Sequence, residues 1–225
     1  RLDGSPDRLA VVRGWVEALR GQGIREVKGH LLLDDTAFPG PAYPACWPVE
    51  ERNLGYAPET SALACNENSL DIVVTAGKEG GAPAFRLSPA TQFVTVQNRA
   101  VTQGKKNELA VYRTEQPNVW LLKGKCGKAT VDLSLTAPVE ESGLYLGSLL
   151  YEEMMRRGIG LRGKIRRVPA AVPTAGMTLL AQTRHPITLF LPVMLKDSVN
   201  FYAEQILLGT AFRVRGSGDR ALAAE

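Results

Sequence analysis

The sequence predicts an α+β multidomain protein in which a small α/β domain is interrupted by a β-rich insertion. Three observations lead there. Two stretches of helical spacing each run through a Gly-Ile pair into an extended segment, at Gly23-Ile24 and again at Gly158-Ile159. Between them lie short β-branched runs separated by Gly, Pro, Asn and Lys turns. Past residue 174 the character changes once more, to a largely apolar stretch over 187–208. A length of 225 residues exceeds the usual single-domain mode, and accommodates one large or two to three small domains.

The first unit places Leu9, Val12, Trp15, Val16 and Leu19 on one helical face, so a helix is predicted over 6–23. Asp7 can cap its start, and Gly21 or Gly23 can end it. Residues 23–34 read as an extended strand, and 39–58, carrying Pro, Tyr and Trp without regular pattern, as an ordered loop. Strands are predicted at 70–74, 93–96, 109–113, 119–122 and 129–133. The helix returns over 142–157 with Leu146, Leu149, Leu150 and Met154 on one face, followed by an extended segment over 158–168. Residues 169–174 form a Pro/Ala hinge. Of the apolar stretch, the first half reads as a helix begun by Pro186-Ile187 and the second as a helix from Ser198 to Leu208 stopped by Gly209. The charged, glycine-containing tail over 213–225 is expected to fray.

Composition narrows the function classes. The net charge is +4, from 27 basic and 23 acidic residues, and the isoelectric point is about 9.0. That balance suits an acidic substrate or an anionic cell surface and is too dispersed to argue for nucleic acid. No apolar run reaches the roughly 18 residues that span a bilayer. Cys46, Cys65 and Cys126 have no metal-ligand spacing and only two histidines, His30 and His185, exist to help, so no metal site and no cofactor are expected. One disulfide plus a free thiol, or three buried thiols, remain open for the cysteines. The histidines have no acid partner in sequence, which argues against a Ser-His-Asp arrangement. Arg1 is not an initiator methionine, so a processed or trimmed start is expected.

The stretch that carries chemistry is Leu195-Lys196-Asp197-Ser198-Val199-Asn200-Phe201-Tyr202-Ala203-Glu204. A Ser-x-Asn triplet beside a lysine places a hydroxyl and a carboxamide together. Its structural alternative is a helix N-cap by Ser198 with Asn200 solvated in the first turn.

With His185-Pro186-Ile187 before it and Tyr202-Ala203-Glu204 after it, this run resembles the corresponding segment of class C low-molecular-mass penicillin-binding proteins, the D-alanyl-D-alanine carboxypeptidase/endopeptidases of the penicillin-binding protein 4 type. The resemblance extends over Asp3-Gly4-Ser5-Pro6, Gly29-His30-Leu31-Leu32-Leu33-Asp34-Asp35 with Phe38, and Asn98-Arg99-Ala100-Val101-Thr102. Its most specific stretch is Trp47-Pro48, Tyr56-Ala57-Pro58, Ser61-Ala62-Leu63 and Asn66-Glu67-Asn68.

The resemblance implies part of a penicillin-binding, serine β-lactamase-like domain, interrupted by an α/β domain that itself carries a β-rich insertion. On that basis 1–60 with 136–170 are expected to form the α/β domain, 61–135 the β-rich insertion, and 171–225 part of the catalytic domain. It implies acyl-enzyme hydrolysis of peptidoglycan stem peptides, and β-lactam binding where the full site is present, in an exported, periplasmic or cell-envelope protein. Ser198 matches the serine that relays a proton towards the leaving amine, and Asn200 the asparagine that bonds the substrate amide. The chain departs from the pattern in two respects: Val199 stands where the resemblance implies aspartate, at a position that varies among relatives, and neither Ser-x-x-Lys nor Lys-Thr-Gly occurs in it. Lys125-Cys126-Gly127 lies before Ser198 rather than after it and does not qualify. The expected reading is a catalytically inactive portion of a longer serine carboxypeptidase, the alternative a non-catalytic cell-wall-binding or scaffold protein of the same architecture.

Overall fold

A computed structural model of the chain describes residues 7–223. The Asp3-Gly4-Ser5-Pro6 motif lies outside the described residues. Helix α1 (Ala10–Gly21) buries Val12 and Val16. The Asp7 carboxylate accepts the Leu9 N–H at 2.9 Å, just ahead of the first turn. The extended segment that follows is two short strands, β1 (Glu26–Val27) and β2 (Leu31–Leu33).

The second unit repeats this order with α2 (Ser142–Arg156), β9 (Gly160–Leu161) and β10 (Ile165–Arg167). The two units pair with each other: β1 runs parallel to β9, and β2 parallel to β10. Parallel strands need a long crossover, and here the crossover contains the whole β-rich segment. Helix α2 sits close on this pair because Gly147 faces it. A Cβ there would lie 2.7 Å from Leu33 Cδ1 and 3.0 Å from Ile165 Cγ2.

The intervening segment holds two three-stranded sheets. In the first, β3 (Ser69–Thr75) is central, antiparallel to both β4 (Ala84–Ser88) and β8 (Leu133–Pro138). In the second, β7 (Val119–Cys126) is central, parallel to β5 (Thr95–Thr102) and antiparallel to β6 (Glu108–Arg113). The inner face of β7 is Trp120, Leu122 and Cys126, all fully buried. Gly124 lies between them at φ +113, where a Cβ would fall 1.9 Å from the Glu108 carbonyl oxygen, so the β6–β7 pairing requires glycine. One apolar cluster runs from Leu9 and Val12 of α1 through Leu70, Ile72, Trp120 and Leu122 to Tyr145, Leu146 and Leu149 of α2. The insertion is thus packed directly onto the helices. A smaller cluster of Val16, Met154 and Ile159 lies at the β1–β9 end.

Three strands differ from expectation. Strand β5 spans Thr95–Thr102 instead of 93–96, because Asn98-Arg99-Ala100 continues the ladder with β7. The run predicted at 129–133 is mostly turn, because Thr130 N–H closes on Gly127 O and Asp132 adopts φ +50; strand β8 begins only at Leu133. Strand β4 was not legible, since its exposed edge position leaves no alternating apolar pattern.

The C-terminal part is helical. A 3-10 turn (Ile187–Leu189) leads into α3 (Phe190–Asp197), then α4 (Asn200–Arg215) and the short α5 (Arg220–Ala223). Helix α4 passes through Gly209, which packs near the Phe38 ring, and ends instead at Gly216 in the left-handed region. The predicted stop at Gly209 is therefore corrected, because tertiary packing outweighs the local cost of a helical glycine. The tail is likewise not frayed through residue 223: Arg220 holds α5 against Glu204, Thr60 and the Pro41 carbonyl. Among the described residues no helix is long and apolar enough to cross a membrane.

Candidate functional site

Ser198 closes α3 as its C-cap in the left-handed conformation, φ 51 and ψ 41. Val199 is the N-cap of α4, and Asn200 its first residue. The N-cap role open to Ser198 in the sequence is therefore excluded: a left-handed residue two positions before the helix points its chain through a corner instead of into the first turn. Both side chains are exposed at that corner, as is Lys196, and neither makes a hydrogen bond among the described residues. A non-glycine residue held at positive φ costs about 1–2 kcal/mol and persists where its surroundings demand it.

Those surroundings are built by α4 and the loop over 59–68. The two residues after Asn200, Phe201 and Tyr202, are buried. The Tyr202 hydroxyl donates to Glu67 Oε1 at 2.5 Å, and burial together with that carboxylate pushes its phenol well above the ordinary range. One turn on, Gln205 clasps the backbone of Ser61: Nε2 donates to Ser61 O at 3.0 Å and Oε1 accepts Ser61 N–H at 3.2 Å. The far end is tied by Arg220, which links Glu204 to Thr60.

The loop that receives α4 is itself specialised. Asn66, Glu67 and Asn68 stand consecutively at φ 53, 56 and 46. Asn68 is fully buried; its Oδ1 accepts the Cys65 N–H at 3.0 Å and its Nδ2 donates to Glu59 O at 2.8 Å. Glu59 in turn accepts the Ser142 N–H at the start of α2, 3.0 Å away, while burial raises its carboxyl pKa. A continuous polar chain thus joins the start of α2, the 59–68 loop and α4. These contacts connect the end of the stretch most specific to the resemblance, its Ser61-to-Asn68 part, with the helix that carries Asn200.

A cleft of about 460 Å³ opens beside this junction, lined by Arg8, Trp15, Glu67, His185, Phe190 and Tyr202 among others. Ser198 and Asn200 do not line it. Arg8 is held by Asp71 at 2.7 Å, and Trp15 Nε1 donates to Thr183 at 2.7 Å, so α1 is pinned to both sides. His185 packs edge-on against Phe190, and His30 accepts the Lys164 N–H at 2.9 Å, so both histidines have structural roles. No cluster suited to a metal ion occurs among the described residues.

All three cysteines are free, and not all are buried: Cys46 is exposed, Cys65 half-buried and Cys126 buried. Burial pushes the Cys65 thiol up to about 12, against a smaller opposing effect of Arg8. At pH 8 it is almost wholly protonated, and the thiolate is the nucleophile. With iodoacetamide at pH 8 in the folded protein, Cys46 is expected to label first, with Cys65 and Cys126 at least tenfold slower. Peptide mapping reads the order, and rapid labelling of Cys65 would contradict its placement.

The profile of the D-Ala-D-Ala carboxypeptidase 3 (S13) family matches residues 7–225. The chain belongs to this family. Among curated relatives of this S13-family chain, the D-alanyl-D-alanine carboxypeptidase of Actinomadura sp. (strain R39) is 26% identical over 206 residues, covering 87% of this chain and 38% of the relative. D-alanyl-D-alanine carboxypeptidase DacB of Haemophilus influenzae is 22% identical over 220 residues, covering 94% of this chain and 45% of the relative. The S13-family chain therefore spans less than half the length of these relatives. Its fold is that of penicillin binding protein 4 (dacB) of H. influenzae, with a TM-score of 0.76 at 18% identity over 95% of this chain and 48% of that one. A second structure of that protein, complexed with a β-lactam, aligns with a TM-score of 0.64 at 17% identity over 94% of this chain and 45% of that one.

The Ser-x-Asn triplet was legible as a motif, but the residues that seat it were not. The Tyr202–Glu67 and Gln205–Ser61 bonds join positions 135 and 144 residues apart, and no local pattern signals such pairs.

Proposed function

We propose that this chain is the accessory and Ser-x-Asn-bearing portion of a serine-type D-Ala-D-Ala carboxypeptidase/endopeptidase acting on peptidoglycan stem peptides at the cell envelope. The observation that carries the reading is the family match over residues 7–225, which includes the Ser198–Asn200 corner. The relatives' names supply the activity, and their greater length supplies room for a nucleophile that these 225 residues lack.

In the proposed reaction a serine from outside this chain attacks the carbonyl of the penultimate D-Ala, and the C–N bond to the terminal D-Ala breaks. The departing nitrogen must take up a proton. Ser198 is proposed to pass it on: its hydroxyl is exposed, unpaired among the described residues, and fixed by a left-handed backbone rather than by a partner that would compete for it. Asn200 is proposed to hold the substrate amide through its carboxamide, one residue from the buried Phe201–Tyr202 anchor. Water then hydrolyses the acyl-enzyme ester. The division proposed with this mechanism is 1–60 with 136–170 as the α/β domain, 61–135 as its insertion, and 171–225 as part of the catalytic domain.

The test is release of D-Ala from a synthetic peptide ending in D-Ala-D-Ala. A polypeptide carrying this chain with its neighbouring coding sequence on both sides is expected to release it. The 225-residue chain alone is expected to release none. An extended protein that folds but releases no D-Ala would favour the non-catalytic cell-wall-binding or scaffold reading.

A further inference from the structure

The loop over 43–58 is held mainly by itself. Its backbone bonds are local: Trp47 N–H donates to Pro44 O at 3.1 Å, Glu51 N–H to Pro48 O at 3.1 Å, Leu54 N–H to Glu51 O at 2.9 Å and Ala57 N–H to Leu54 O at 3.0 Å. The stacking of Arg52 over the Tyr43 ring, at 4.7 Å, is internal as well. Among the described residues, the hydrogen bonds that tie 43–58 to the rest of the chain come from a single side chain, Arg113 of β6. Its Nε donates to Asn53 Oδ1 at 2.9 Å and its Nη2 to Arg52 O at 3.2 Å.

Arg113 belongs to the β-rich insertion, and its side chain is only 13% exposed. The guanidinium also donates to Pro138 O at 3.2 Å, pairs with Glu140 at 2.8 Å and lies 5.0 Å over the Trp120 ring. Pro138 ends β8 and Glu140 lies just ahead of α2, so one fork joins the loop to both. Lysine, a single ammonium on a flexible stem, cannot reproduce that planar arrangement. The loop closes at Ala42, whose carbonyl accepts both the Thr60 N–H and the Thr60 hydroxyl at 2.8 Å. Ser61 follows, and its N–H and carbonyl are the groups that Gln205 of α4 clasps. The middle of the loop is thus held by the insertion, and its closing end by the helix that begins at Asn200.

We propose that Arg113 is a positioning residue: through it the β-rich insertion holds the 43–58 loop, and through the loop the Ser61–Gln205 clasp that sets α4. Without the fork the middle of the loop keeps only local turns, which open at low cost, and the loosening reaches the Ala42–Thr60 closure beside Ser61. The consequence for turnover rests on the proposed function, whereas the hold on the loop and the clasp does not.

Hydrogen–deuterium exchange read by mass spectrometry tests the hold on the 225-residue chain. Arg113→Lys keeps the charge and removes the fork. It is expected to speed exchange across 43–58 by about tenfold or more, and at Thr60–Ser61 by about threefold or more, while α2 exchanges as in wild type. Glu140→Gln leaves both loop bonds in place and is expected to exchange as wild type in the loop. Should Arg113→Lys speed exchange everywhere, Asn53→Ala, which removes an exposed partner alone, carries the comparison with the same ordering expected. In the extended protein Arg113→Lys is expected to lower kcat for D-Ala release by about three- to tenfold with KM within about twofold, and Glu140→Gln to change neither. Unchanged exchange in 43–58 or at Thr60–Ser61 in both loop variants, exchange raised equally in α2 by both, or a faster-exchanging loop with normal kcat would overturn the proposal. An extended wild-type protein that releases no D-Ala would instead remove the proposed function, and the exchange result would still decide the role of Arg113.

Discussion

Replacing Ser198 with alanine in the extended protein is expected to slow D-Ala release by about 10²–10⁴-fold, the usual worth of a positioned proton-transfer group. The fold predicts that this loss is chemical. Ser198 is exposed and bonded to nothing among the described residues, so its hydroxyl supports no packing. Its left-handed backbone, φ 51, favours glycine over any residue with a Cβ. Ser198→Gly should therefore be as slow as Ser198→Ala while melting no lower than wild type. A glycine variant with near-normal turnover would remove Ser198 from the mechanism. One that melted many degrees lower would mean that the corner, rather than the hydroxyl, matters.

The second large effect lies in the loop beneath. Asn68→Ala is expected to destabilise the chain by about 3–5 kcal/mol. Two part-buried backbone groups, Cys65 N–H and Glu59 O, lose their fully buried partner side chain, at about 1–2 kcal/mol each. Alanine at φ +46 adds strain of about 1 kcal/mol where asparagine is tolerated. For a chain of this size that corresponds to a drop in Tm of about 10 °C or more, read by circular dichroism or calorimetry. The effect should reach beyond the loop, since Glu67 next to it receives the Tyr202 hydroxyl. In the extended protein a milder variant, Tyr202→Phe, should then lower turnover more than it lowers Tm. A melting temperature unchanged in Asn68→Ala would show that the loop is not held by this side chain.

Much of this structure was legible because its elements obey local rules. The faces of α1 and α2 follow the 3.6-residue period through Val12, Val16, Leu146 and Leu149, and each helix hands over to strand at a Gly-Ile pair. The repeat in sequence corresponds to a pairing in space, β1 with β9 and β2 with β10. What was missed is non-local. Helix α4 continues past Gly209 because Phe38, far away in sequence, packs against it. Strand β4 shows no alternation because it is an exposed edge. The three left-handed residues Asn66, Glu67 and Asn68 read in sequence as polar turn formers, and only the fold reveals that they aim a carboxylate at Tyr202. Ser198 and Asn200 were found as a motif, yet the cap geometry that a Ser-x-Asn triplet suggests by itself was absent, displaced by a sharp corner between α3 and α4.

Under the proposed function this chain contributes Ser198 and Asn200 to a penicillin-sensitive site whose nucleophile lies outside it. Intact-mass measurement after exposure to benzylpenicillin reads that arrangement. The extended protein should gain one acyl adduct, located by peptide mapping on a serine outside these 225 residues, and the 225-residue chain alone should gain none. An adduct on the isolated chain would place the nucleophile within it, and an extended, folded protein that is never acylated would rule out the acyl-enzyme reading.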